Sequence, residues 1–451
     1  MTTNIKVSTT DKSLSSYGGL LIAKSSIKAF DVRGLVAKCL PKLASGQSRS
    51  MDKFEAAMLG SMAGAECLDD LETLCEDPAF VETVEKAYSA KSYGNFLRTF
   101  SDYQCKTLQY ALINQSFAMR ADAVGRTDRF VLDIDSTSNR QYGKKMEGVE
   151  LNYKNIECLD TLKAFDEFGF PYWHDVRPGA TNTSVGASEA ISSIFSRIPT
   201  TDTFKHVKRF VRADSGYCNV GFFNACKIAK AYFVTHMRDN MLEPRLHLIT
   251  KWRRQNSKDL KRIRIHDGRE CEIGETVYRP THGQQLLRVI CLRAEKSNLP
   301  SIPLFDLARY DYYAFVTNIP HTDMFPQEVI TFYRGRGNAE NFIKEDKYGF
   351  DLKHYPCLKL TANKAYGLIT AFATAHMRYL AILSKSKVVR FAKATRHQLI
   401  HLPVLVTRHG RQVIFKFCKR HIKEVSNALN RILKLQSCID SFEPRSSMGA
   451  L

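Results

Sequence analysis

The chain has 451 residues and a mass of 51.3 kDa, with 44% hydrophobic and 11% aromatic side chains, which excludes a disordered tail and leaves room for roughly two to four domains. Its formal net charge of +20 and pI near 9.4 argue against an acidic or neutral metabolic enzyme. They favour a polyanionic partner, nucleic acid first, over charge that serves solubility alone.

From Ser26 to about Ala121 apolar residues recur at helical steps: Ile27, Phe30, Val32, Leu35, Val36 and Leu40, then Phe54, Met58, Leu59 and Met62. An all-helical N-terminal domain is expected over residues 1–125. Within it Ser89–Phe100 reads either as an amphipathic surface helix or as a helix laid in a DNA groove.

From Arg129 the text changes to short β-like runs: Phe130–Asp135, Phe168–His174, Phe210–Asp214 and Ala231–Thr235. Helical stretches at Ser188–Phe195 and Phe222–Ala229 separate them, so a mixed α/β sheet is expected over 126–238. Residues 239–308 break this rhythm with basic clusters such as Lys251-Trp-Arg253-Arg254, and a mainly β insertion is expected there. The sheet pattern resumes at Tyr310–Asn318, with helices from about Pro326, in a second α/β part over 309–383. The most apolar stretch, Ala365–Leu383, is interrupted by His376 and Arg378, which favours a buried helix over a membrane span. The last part, 384–451, is basic: Ser384 to Lys423 contains no Asp or Glu and eleven Lys or Arg. A solvated face would mix both signs, so DNA contact or dimerisation is expected there.

The twelve cysteines show no C-x-x-C spacing, which excludes a zinc ribbon or thioredoxin-like motif. The N-terminus lacks the basic-then-apolar run of a signal peptide, so a reducing, cytoplasmic setting is expected.

Three places can carry chemistry. Asp133 and Asp135 lie two apart in an apolar run, so a strand would turn both to one face and end at the following Ser-Thr. That pattern fits an acid pair on a metal, a structural turn, or the Asp-x-Asp of a nucleotide-sugar transferase. Asp214 closes another apolar run before Ser215-Gly216-Tyr217 and reads as a turn residue or a ligand at a sheet mouth. Tyr333, Arg336, Glu340 and Lys347 fall at offsets that return to nearly one helical face. Gly335 and Gly337 weaken the helix there, so Tyr333 and Arg336 fit an entry turn as well. A surface salt bridge between Arg336 and Glu340 is the alternative to a functional face.

Together these segments resemble the bacterial insertion-sequence transposases of the DDE type, in the branch marked by Tyr-x2-Arg-x3-Glu-x6-Lys. Tyr333, Arg336, Glu340 and Lys347 keep every spacing of that signature. Val131–Thr137 resembles the family's first catalytic strand, Val211–Tyr217 its second, and Val316–Asn318 the strand before the signature. The segments Arg336–Lys344 and Gly60–Glu72 are similar to one subgroup. The resemblance implies a ribonuclease-H-like catalytic core interrupted by a mainly β insertion. It implies catalytic, metal-binding acids at Asp135, Asp214 and Glu340, with Asp133 the rival for the first acid, and two Mg²⁺ ions that Mn²⁺ can replace. DNA contacts are implied at Tyr333, Arg336 and Lys347, and expected from the basic cluster at Arg253 and Arg254. The implied partners are double-stranded DNA with terminal inverted repeats, target DNA and a second copy of the chain on paired ends, at the nucleoid and with no membrane. The alternatives are a domesticated, non-catalytic DNA-binding descendant and a nuclease on the same fold.

Overall fold

A computed structural model describes residues 8–44, 46–143, 145–254, 263–265, 267–281, 285–297, 309–384 and 391–439. The chain divides into two compact units, one of Met1–Val124, Arg140–Val149 and Glu345–Leu451, the other of Gly125–Asn139 and Glu150–Lys344.

The second unit is built on a ten-stranded mixed sheet. Its centre is parallel: Arg129–Arg140 pairs with Lys208–Ala213, which pairs with Tyr232–His236. Helices Ala187–Ser196 and Val220–Ile228 lie between these strands in sequence, as the alternation of apolar runs and helical periods predicts. The first strand runs longer than expected. No Ser-Thr turn follows Asp135; the strand continues to Arg140, since Ser136, Thr137 and Ser138 suit a half-buried strand and the buried Asn139 amide donates to Thr161 Oγ1 at 2.9 Å. On that side lies the hairpin of Glu157–Asp166 and Pro171–Pro178. Its turn is closed by Gly169 at φ 86° and by the Asp166 carboxylate, which accepts the Phe168 and Phe170 amides at 2.9 Å.

On the other side Tyr310–Thr317 pairs antiparallel with Tyr232–His236. Leu287–Glu295, Glu272–Tyr278 and Trp252–Arg254 then follow in that order. The segment expected as an insertion is strand-rich, and its strands extend the central sheet rather than forming a separate one. Ile273, Ile290, Leu292, Phe315, Val329, Ile330 and Phe332 pack with Val131 and Phe210 in a common core.

The first unit is helical at its N-terminal side, with Leu20–Ala29, Val32–Val36, Gln47–Ala63, Leu68–Leu74, Pro78–Thr83, Ala90–Leu97 and Asp102–Val124. Local signals start and stop these helices. Asp77 caps the Ala79 and Phe80 amides ahead of Pro78 at the first helical position, and Gly64 ends Gln47–Ala63 at φ 110°. Helix Ala90–Leu97 buries Tyr93, Phe96 and Leu97 and leaves Lys91 exposed, an amphipathic surface helix. Leu360–Leu383 is buried along most of its length and packs on Asp102–Val124 and Gln47–Ala63. No helix among the described residues is long and apolar enough to cross a membrane. In the basic last part, Val404–His409 and Gln412–Phe417 form a hairpin, with Leu14–Ser15 paired to its first strand, and Lys419–Ile439 is helical. Lys385, Lys387 and Arg390 lie outside the described residues.

Candidate active site

Strand register brings the first two acids together. In the parallel pairing of Arg129–Arg140 with Lys208–Ala213, Ile134 stands opposite Ala213, and Asp135 and Asp214 each follow by one residue. Asp214 starts a short turn, Ser215–Tyr217, by accepting the Gly216 amide at 2.8 Å; its own carbonyl accepts the Thr235 hydroxyl at 2.6 Å. Its backbone is thereby fixed while one carboxylate oxygen stays unengaged by the turn.

The signature does not form one continuous helix. Tyr333 lies in the last turn of helix Pro326–Arg334, Arg336 in the break after Gly335, and Glu340 in the first turn of helix Gly337–Gly349. The entry-turn reading therefore describes Arg336, while Tyr333 belongs to the preceding helix. Glu340 sits in the first turn of its helix, where the positive end of the macrodipole favours a carboxylate, and its side chain is 58% exposed. Lys347 lies further along the same helix but in the other compact unit.

Arg336 links the first and third acids. Its Nη2 donates to Asp135 Oδ2 at 2.6 Å, and its Nη1 stands 3.5 Å from Glu340 Oε1. The salt bridge that the i,i+4 spacing offered is therefore present, with Asp135 as the closer partner. Burial pushes the Asp135 carboxyl up to about 6, and Asp214 and Glu340 push it the same way against Arg336. Tyr333, packed on Phe315 at 4.9 Å between ring centroids, is pushed up to about 12 by burial, with Asp214, Asp135 and Glu340 adding to it. Three acids, a phenol and a guanidinium thus share one electrostatic neighbourhood.

Asp133 points to the same side of its strand as Asp135 but is engaged differently. It is 1% exposed, and Arg212 donates Nε to its Oδ1 at 2.6 Å and Nη2 to its Oδ2 at 2.7 Å. Both of its oxygens are occupied by one guanidinium, whereas Asp135 shares only Oδ2 with Arg336 and accepts the Ser136 amide at Oδ1. Sequence reading missed Arg212; an arginine inside the apolar run Phe210–Ala213 was the signal available. It also missed Tyr217, fully buried with its phenol pushed up by burial and by Asp135 and Asp214.

Arg253 and Arg254 lie on strand Trp252–Arg254, apart from this cluster. Arg254 pairs with Glu272 at 2.9 Å. Arg253 lines a cleft of about 1300 Å³ with Lys251, Arg129 and His321, and none of the three acids lines it.

Among the described residues, no three His, Cys, Asp or Glu side chains stand close enough to grip a metal ion in their present positions. The chemistry of the donor set nevertheless fits a hard divalent cation: carboxylate oxygens only, with Asp135 raised by burial and then by its acid neighbours, and a cationic guanidinium already spanning Asp135 and Glu340. A family model for the transposase DDE domain, group 1, matches residues 1–437. The chain belongs to this transposase DDE family. No curated protein matches it. The family match covers both compact units, so the acid cluster and the helical and basic parts belong to one transposase chain.

Proposed function

We propose that this DDE-family chain is a DNA transposase that cuts the ends of an insertion sequence and joins them to target DNA, with Asp135, Asp214 and Glu340 as its metal-binding acids. The observation that carries this reading is the convergence of those three acids around Arg336 from two neighbouring strands and one helix start. On this reading the fold is ribonuclease-H-like, with residues 126–238 and 309–383 as its two parts and 239–308 as a sheet-extending insertion.

Asp135, Asp214 and Glu340 would hold two Mg²⁺ ions, or Mn²⁺ in their place, which would supply activation of the attacking oxygen and charge neutralisation at the leaving one. The chain supplies the rest. Asp214, with its backbone pinned by Gly216 and Thr235, presents a carboxylate of fixed direction. Arg336 neutralises charge between the first and third acids, and its planar donors suit a phosphate equally well. Tyr333, Arg336 and Lys347 engage backbone phosphates, independently of sequence. Arg253, Arg254, the N-terminal helices and the acid-free segment 384–423 add further contacts to the inverted repeats and the target. Two copies on paired ends complete the assembly at the nucleoid.

The test is cleavage of labelled duplexes that carry the ends of the protein's own element, with and without Mg²⁺. Nicks at the ends that require Mg²⁺ and vanish in Asp214→Ala and Glu340→Ala are expected. Nicking that survives either substitution contradicts the assignment.

A further inference from the structure

The guanidinium of Arg212 holds more of this site than its charge requires. Besides the two bonds to Asp133, its Nη1 donates to the Phe332 carbonyl at 2.7 Å, and its plane lies over the Phe332 ring, 5.1 Å from the centroid. Asp133 and Arg212 are direct partners in the parallel ladder. Each stands two residues ahead of a candidate catalytic acid, Asp135 and Asp214. Phe332 lies one residue ahead of Tyr333 in the last turn of its helix. One 5%-exposed side chain thus links the strand of the first acid, the strand of the second, and the helix end that presents Tyr333, Arg336 and, after one break, Glu340.

Gly335 belongs to the same arrangement. Its φ of −58° is helical, so any residue could adopt this backbone. Space is what demands glycine: a Cβ there would stand 2.3 Å from Arg212 Nη1 and 3.2 Å from the Phe332 carbonyl oxygen. The break between the two helices is therefore shaped around the guanidinium.

We propose that Arg212, clamped by Asp133 and accommodated by Gly335, is the positioning residue that sets the register of the three metal-binding acids. The proposal rests on the reading of Asp135, Asp214 and Glu340 as those acids. A stability role alone accounts poorly for the arrangement, because a buried ion pair can be replaced by apolar residues of similar volume at little or no cost in stability. What such residues cannot supply is three directional bonds from one rigid plane, and lysine cannot supply them either.

The experiment compares full-length Gly335→Ala, Arg212→Lys and the paired replacement Asp133→Leu with Arg212→Met. Each is measured for unfolding midpoint, affinity for end DNA, nicking rate per folded molecule and the Mg²⁺ concentration that gives half the maximal rate. Misplacement of the acids predicts that nicking falls by about a hundredfold and that the Mg²⁺ requirement rises. DNA affinity stays within about threefold, since few of the phosphate contacts are involved. Gly335→Ala in the Asp133→Leu, Arg212→Met background should add less than about threefold, because the atom it displaces is gone.

A folded paired variant that nicks at the wild-type rate with an unchanged Mg²⁺ requirement overturns the proposal. So does Gly335→Ala with unchanged nicking and Mg²⁺ requirement, and that variant decides the question if the paired one does not fold. Asp214→Ala, run alongside, separates the two claims: if it nicks, the assignment of the acids fails; if it is inert while Gly335→Ala is fully active, only the positioning role fails.

Discussion

Asp133 and Asp135 show how two identical side chains on one strand face divide their work. Asp133 has both oxygens bonded to a buried arginine, so Asp133→Asn leaves Arg212 with an uncompensated charge and is expected to cost about 3–5 kcal/mol of stability. Asp135 has its carboxyl raised to about 6 by burial and by Asp214 and Glu340, against the pull of Arg336. Asp135→Asn relieves that repulsion but also removes the closer partner of Arg336, which keeps Glu340, so it should cost less stability than Asp133→Asn while abolishing cleavage. Urea unfolding and end-nicking on the two variants check this, and a stable Asp133→Asn or a cleaving Asp135→Asn would reverse the roles. The sequence made the two aspartates equally visible, because period-two alternation puts both on one face. Their difference lies in Arg212, some eighty residues away, whose partner is set by strand order and register that no local pattern encodes.

Most elements were legible where a local signal closes them. The strands before Asp135 and Asp214 are apolar runs ended by polar residues, and the helices near Ser188 and Phe222 show clear periodicity; the structure places strands and helices there. The extension of the first strand to Arg140 and the pairing of Trp252–Arg254, Glu272–Tyr278 and Leu287–Glu295 onto the central sheet were not legible, since both depend on long-range partners. The apolar run Ala365–Leu383, interrupted by His376 and Arg378, reads as a buried helix, and it lies in the buried helix Leu360–Leu383; burial has a measurable consequence. His376 is fully buried, its Nδ1 bonded to the Ser26 hydroxyl at 2.9 Å, and burial lowers its pKa to about 3. A histidine depressed from about 6.5 contributes stability that is whole above that value and is lost as pH falls toward 3. Between pH 6.5 and 4.5 this amounts to about 2 kcal/mol. Denaturant unfolding at those two pH values should show that loss in wild type and much less of it in His376→Gln; equal losses in both proteins would contradict the reading.

At the scale of the whole molecule, the charge of +20 and the 40-residue stretch without a carboxylate predict DNA binding dominated by phosphate contacts. Affinity for a duplex should then fall about a thousandfold or more between about 50 and 200 mM salt, as measured by fluorescence anisotropy. A change below about tenfold would indicate few contacts and would leave the excess charge without this role. Such binding is shared by a catalytic transposase and by an inactive descendant, so it cannot distinguish them; ligation of metal by the acids can. Replacing Asp214 with cysteine exchanges a hard oxygen donor for a soft sulfur at the same strand end, and sulfur is a poor ligand for Mg²⁺ but a tolerable one for Mn²⁺. The decisive measurement is end cleavage by Asp214→Cys in each metal. Loss of cleavage in Mg²⁺ with partial recovery in Mn²⁺ is the predicted result, and cleavage in Mg²⁺ at the wild-type rate would contradict a metal-binding role for this acid.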